Sequence, residues 1–476
     1  MKYNATVVGS GPNGLAAAIH LASKGWSVKI FERNKTIGGG TRTQELTLPG
    51  FHHDICSAIH PLAKASPYLR TLPLEQYGVE WIYPKIPVAH PLDNQPAAAL
   101  FTSLDETAIQ LEKDGPVYRK IIEPFVHHWE DLIPQILAPF TLFPSHPLLM
   151  ARFGLVALRS AETLAGKFKT SRSRALFAGL AAHGILPFDH TATAAIGLVL
   201  GIAAHTVGWP FPKGGSYNLT KSMAEYLRYL GGDIETNAEI TNLDQLSESD
   251  IILFDTTPRQ VLQIAGKKLP ASYRQKIETF KYGPGVFKLD FALSDPIPWT
   301  DEACLKAGTV HLGGTFDEIA LSESDTANGK HPAKPYVLVA QHSLFDSSRA
   351  PAGKHTAWAY CHVPNGSTED MTEPIIRQIE RFAPGFRDCI ITQHAMNTEM
   401  IEAYNPNYVG GDINGGRQDI TQLFTRPAGL FDPYHIPDTN MYICSSSTPP
   451  GGGVHGMCGY HATESAIKNT RTAKWI

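Results

Sequence analysis

A chain of 476 residues is too long for one simple core and predicts two interlocked domains. Hydrophobic residues make up 43 % and charged residues 18 %, and the formal net charge is −4; no basic excess is available for a polyanion, which argues against a nucleic-acid partner. The six cysteines form no C-x-x-C pair, so neither a zinc ribbon nor a redox dithiol is spelled out, and scattered single cysteines suit a reducing compartment.

The run ATVVG, residues 5–9, predicts a buried parallel strand. It begins close to Met1 and leaves no room for a leader, so a cytoplasmic location is expected. Gly9, Gly11 and Gly14 then supply G-x-G-x-x-G, with Pro12 and Asn13 inside it. An alanine-rich helix runs to Gly25, and SVKIFE forms a second strand ending at Glu32. The order is that of a dinucleotide site. The glycines allow a tight turn, close approach to a pyrophosphate and close helix packing; the helix N-terminus faces the phosphates, and the acid takes ribose hydroxyls. Such an acid suits FAD or NAD better than NADP. A second glycine turn, Gly38–Gly40, follows between Arg33 and Thr41–Arg42. It gives a longer ligand such as FAD a second crossing. Arg42 reads either as a phosphate counter-charge or as a surface arginine.

The next stretch is helical and carries Pro134, Pro139, Pro144 and Pro147 among apolar residues, which read as core or as a peripheral membrane contact. Residues 192–205, ATAAIGLVLGIAAH, are too short to span a bilayer and predict a buried helix. Gly214–Gly215, an amphipathic helix and Gly231–Gly232 lead into a strand expected to end near Ile240, and DIILFD, residues 250–255, predicts another parallel strand. Beyond it, GPGVFKLDFALS, PYVLVAQHSLF and HTAWAYCHVP alternate as antiparallel strands, covered by a helix in MTEPIIRQIERFAPGF. Ser322–Lys334 reads as an exposed loop. Near the C-terminus, Pro449–Pro450 stop a strand and Gly451–Gly453 clear the backbone for a flat ring. Val454, His455, Gly456 and Met457 then enter a helix whose N–H groups favour negative charge.

Taken together, Gly9, Gly11, Gly14, Glu32, the Gly38–Gly39 turn, the double-glycine middle segment and the closing glycine run resemble the FAD signature of the phytoene desaturase and amine oxidase superfamily. GPGVFKLDFAL, QIERFAPGF and YVGGDINGG resemble its phytoene-dehydrogenase-related branch. The resemblance implies an α/β fold of glutathione-reductase type. Residues 1–85, 205–265 and 430–476 would form a discontinuous Rossmann-like FAD-binding domain, with an inserted α+β substrate domain from residues 86–204 and 266–429. It implies non-covalent FAD gripped by Gly9, Gly11, Pro12, Asn13, Gly14, Glu32, Arg33, Gly39, Gly40, Thr41 and Arg42. Ile240 would meet adenine, Ser445 the ribityl chain, with Ser446 also in the cofactor site, and Gly453, Val454, His455, Gly456 and Met457 the isoalloxazine. Ser445 departs from the glycine of most relatives, and His455 either touches the ring or packs.

For chemistry, Lys288 resembles a lysine that sits near flavin N5 through water in amine oxidases; a salt-bridged or solvent-facing lysine is the alternative. His60 reads as an acid–base group or a structural histidine, and Asp412 as a cavity residue or a turn cap. The adjacent pairs His52–His53 and His127–His128 point apart, so no metal site is expected. The implied activity is hydride removal from a small apolar or amphipathic molecule, with C–C desaturation foremost. The electron acceptor, O2, a quinone or another, stays open. An amine or alcohol oxidase, a double-bond isomerase and a binding protein with structural FAD are the alternatives.

Overall fold

The computed structural model describes residues 4–246 and 248–473. A five-stranded parallel sheet runs in the order Met441–Ile443, Ile251–Phe254, Ala5–Val8, Val28–Phe31, Asp233–Glu235. Ala5, Val7, Val28, Ile30, Ile251 and Leu253 are fully buried, as continuous apolar strands covered on both faces must be. Strands from three distant stretches therefore share one ladder. The first helix, Pro12–Ser23, packs on the C-terminal helix, Met457–Ala473. The two backbones meet so closely that a Cβ at Gly459 would lie 1.9 Å from the Asn13 carbonyl oxygen.

A seven-stranded sheet follows the order Ile390–Met396, Gly285–Leu293, His355–Val363, Val337–Ala340, Ala307–Leu312, Ile86–Leu92, Gln95–Leu100. Every pairing is antiparallel except that of Ala307–Leu312 with Ile86–Leu92. The three alternating segments form strands as expected, and Thr372–Phe382 is the expected helix. Ala307–Leu312 and the hairpin at residues 86–100 are additions. Ile86–Leu92 is buried along its whole length, so it shows no period-two alternation to read.

Two local expectations are corrected. Ser322–Ala327 is not loop but the second half of helix Phe316–Ala327, started by a capping box between Thr315 and Glu318. Its polar residues were misleading because Ser322, Glu323 and Thr326 face inward, with Glu323 bonded to His362 Nδ1 at 2.7 Å. The strand expected to reach Ile240 ends at Glu235, where the chain bends through Asn237 at φ 55° before it reaches Ile240.

Ala194–Thr206 is the expected buried helix. Helix Pro147–Ala157 instead leaves Leu148 and Leu155 exposed. Among the described residues, no helix is long and apolar enough to cross a membrane.

Candidate dinucleotide site and adjoining chamber

A cavity of about 780 Å³ opens at the carboxyl ends of the parallel strands and reaches the second sheet. Residues 8–13, 31–34 and 39–42 line it, and so do residues 445–447, Gly453 and Val454 from the far end of the chain. The two termini thus meet at one cavity, and Asn13 Nδ2 donates to Ser446 Oγ at 3.5 Å across the junction.

Sterics explain the first loop. Gly9 holds φ 102°. A Cβ at Gly11 would stand 2.5 Å from Asp255 Oδ2, and one at Gly14 would stand 2.3 Å from the Gly9 carbonyl oxygen. Gly39 touches the first loop, since its Cβ would lie 3.0 Å from Gly11 Cα, so the two glycine turns form one floor. Gly40 leaves room for the Tyr408 hydroxyl, which a Cβ there would meet at 2.0 Å.

Glu32 is buried and aimed at this floor. Its carboxylate accepts from Ser10 N at 3.1 Å, Ser10 Oγ at 2.7 Å, Asn34 N at 2.8 Å and Asn34 Nδ2 at 2.9 Å. Arg42 is not a surface arginine. It is buried, 3.4 Å from Glu32 and 4.9 Å above the Tyr404 ring, and it donates to Thr36 O at 3.1 Å. Thr41 is tied to Gly38 O at 2.7 Å and to Thr220 Oγ1 at 3.0 Å. Arg33 and Ile240 line the cavity, Arg33 pairing with Glu239 at 3.7 Å.

The closing run is only partly as expected. Gly453 and Val454 line the cavity, but His455, Gly456 and Met457 lie behind them. His455 packs: Nε2 bonds Gly451 O at 3.2 Å, and Nδ1 accepts from Met457 N at 3.0 Å. Met457 therefore has no N–H free for a ligand. Gly456 is needed for packing, because its Cβ would lie 2.9 Å from Ala16 Cβ.

The part of the cavity lined by the helical segment and the second sheet is different. His183, Ile185, Trp209, Thr309, Leu338, Trp358 and Tyr360 form it. Trp358 and Tyr360 sit two apart on one strand, face inward and contact edge-to-face at 5.0 Å. His183 meets His311 at 3.1 Å between Nε2 atoms, and burial pulls it down to about 3, so it is neutral. Burial likewise raises Tyr360 and the neighbouring Cys56 thiol. No charged side chain lines this chamber from these elements. Sequence reading missed these residues, although W-x-Y in HTAWAYCHVP was the available signal.

Lys288 does not line the main cavity. It faces a separate void of about 20 Å³, room for about one water, behind a wall of Cys56, Trp358, Tyr360, Tyr408 and Ile413. It is salt-bridged: Nζ pairs with Asp290, 5.6 Å from the Trp358 ring centroid. Burial lowers its affinity for a proton while Asp290 opposes that shift. His60 also lies off the cavity, buried, with Nε2 on Ser216 Oγ at 2.8 Å and its proton affinity pulled down to about 4 by burial. Its contacts are those of a structural histidine. Asp412 caps turns, accepting from Gly283 N at 2.8 Å, Asn414 N at 2.8 Å and Gly416 N at 2.9 Å.

The NAD(P)-binding Rossmann-like domain model matches residues 7–72. The chain is 24 % identical to pyridine nucleotide-disulfide oxidoreductase domain-containing protein 2 of Mus musculus, over 99 % of this chain and 94 % of that one. It is 22 % identical to a 4,4'-diapophytoene desaturase of Methylomonas sp, over 94 % and 91 % of the two chains. Among solved structures, cyclohexylamine oxidase from Brevibacterium oxydans shares the fold at TM-score 0.60 and 12 % identity, covering 100 % of both chains. The disulfide in the mouse relative's name has no counterpart at this cavity: Cys56 lines it without a second cysteine, and all six cysteines are unpaired.

Proposed function

We propose that this chain, an oxidoreductase of the phytoene desaturase and amine oxidase superfamily, binds FAD non-covalently and removes hydride from a small neutral apolar or amphipathic molecule, desaturating a C–C bond. The observation that carries the reading is the joining of a glycine-floored cleft to an uncharged aromatic chamber in one cavity. The residues fit the cofactor. The floor that a Cβ would fill is bare, Glu32 stands where ribose hydroxyls need an acceptor, and Asn13 Oδ1 is buried without a partner among the described residues.

Bound there, FAD supplies the hydride acceptor. The chain's own part is binding, orientation and exclusion of water. Gly9–Asn13 and Gly39–Arg42 would hold the phosphates, and Gly453 and Val454 would leave room for the ring. Trp209, Trp358 and Tyr360 present flat apolar faces to the substrate. Cys56, His183 and Tyr360 are held uncharged by burial; the proton that leaves with the hydride would pass to the neutral His183 imidazole on the wall or to water entering the cavity. A protonated amine would sit there without a carboxylate, which disfavours a cationic guest.

The test is direct. Purified protein should be yellow and release FAD on denaturation. Slow reoxidation in air after photoreduction supports a dehydrogenase, whereas fast reoxidation with hydrogen peroxide supports an oxidase. Colourless protein that takes up no added FAD ends the reading.

A specific surface feature favours peripheral membrane contact as well. Phe143 is 89 % exposed, Leu148 87 % and Leu155 72 %, all within residues 143–155. Co-sedimentation with liposomes should deplete the supernatant, and a Phe143→Ser/Leu148→Ser variant should restore it. Wild-type protein left wholly in the supernatant removes this second reading.

A further inference from the structure

Asp255 places a carboxyl group inside the loop that the cofactor's phosphates need. It follows the strand Ile251–Phe254, and its N–H donates to Val8 O at 2.8 Å, which extends the ladder and directs the side chain under the first glycine loop. Asn407 Nδ2 holds its carbonyl at 3.1 Å. Oδ2 accepts from Gly14 N at 3.0 Å, one of the few free N–H groups at this helix N-terminus, since Pro12 has none. The residue is 7 % exposed and lines the cavity.

No cation relieves it. Among the described residues, Arg42 is engaged by Glu32, Arg33 by Glu239 and Arg259 by Glu402, and none pairs with Asp255. Glu32, on the neighbouring loop, adds like charge. Cys444 and Cys458, packed near it, are thiols kept neutral by burial.

We propose that Asp255 takes up one proton when the pyrophosphate of FAD enters the glycine loop, so that cofactor affinity falls as pH rises. The inference rests on the FAD reading above. Two anions at one helix N-terminus in a low-dielectric pocket repel, and protonation of the carboxyl removes one of them. Burial first, and Glu32 next, already lift Asp255 to about 7 against the hydrogen bonds from Gly14 and Gly11. The neighbouring phosphates lift it further. Below about pH 7 both free and bound protein hold the proton and affinity is flat; above it only the bound form does, and affinity drops up to about tenfold per pH unit.

The experiment is calorimetric titration of apoprotein with FAD near pH 8 in two buffers of different ionisation enthalpy. Wild-type protein should absorb between about one half and one proton per FAD. Asp255→Asn keeps an oxygen for the Gly14 N–H without the charge. It should absorb none and bind about five- to tenfold tighter than wild type near pH 8. FAD binding without proton uptake in wild type overturns the proposal without any variant, as does uptake that persists in Asp255→Asn. FAD that binds at no pH overturns the cofactor reading, and this proposal with it.

Discussion

The two ends of the cavity are built by opposite means. The nucleotide end is made of backbone: short loops whose glycines touch one another and leave a bare floor. The chamber end is made of side chains, with His183 and Trp209 from one region, Leu338 from a second and Trp358 and Tyr360 from a third. A backbone site tolerates no added atom, because the neighbour is main chain or a fixed carboxylate. A side-chain site can be trimmed and still stand.

That contrast predicts a graded set of effects. The largest belongs to Gly11→Val, whose side chain would be driven against Asp255 Oδ2, 2.5 Å from the Cβ position. It should abolish FAD binding in a fluorescence titration while circular dichroism shows a folded chain. Tight binding by this variant would break the comparison at its backbone end.

Next is Lys288→Met, which strands a buried Asp290 carboxylate. It should cost about 3–5 kcal/mol in urea unfolding, and Lys288→Met/Asp290→Leu should recover most of that loss. The single variant should also slow flavin reduction or reoxidation; unchanged half-reactions remove Lys288 from the chemistry and leave it a structural ion.

The third effect is global. Burial holds His53, His60, His90, His342 and His455 down to about 4, against an ordinary 6.5. The unfolded chain therefore binds more protons between those values. The stability these groups provide is complete above about pH 6.5 and is lost as pH falls toward 4. Asp255 works in the opposite direction, as one group against five. The melting temperature of the apoprotein should fall through this window, and a flat profile would contradict the buried neutral histidines.

The smallest effect sharpens the comparison from the other side. Trp358→Ala should leave FAD affinity within about threefold, since its wall faces the substrate end. A loss as large as that of Gly11→Val would mean that the chamber wall also holds the cofactor.

The same contrast explains what the sequence could reveal. The glycine spacing, Glu32 and the second turn are local, so their order along the chain is their order in space. The chamber is assembled by topology. Trp209 and Trp358 lie 149 positions apart in numbering and meet only because the seven-stranded sheet closes beside the helical segment. The placement of Lys288 behind Trp358 depends on which face of strand Gly285–Leu293 turns inward. Every residue of that strand is buried, so periodicity could not decide it. His455 was undecidable for a related reason: capping Met457 and touching a ligand demand the same imidazole. Asp255 escaped notice because an acid at a strand end normally reads as a turn residue.

The strand Met441–Ile443 and the close seat of Gly459 on Asn13 have a consequence for biosynthesis. On the ribosome, the N-terminal loop emerges hundreds of residues before the segment that walls off its pocket. Until that segment arrives, Ile252–Phe254 offers an unpaired edge and the first helix an uncovered alanine face. The cavity can therefore close around its full length only after the closing segment has been made.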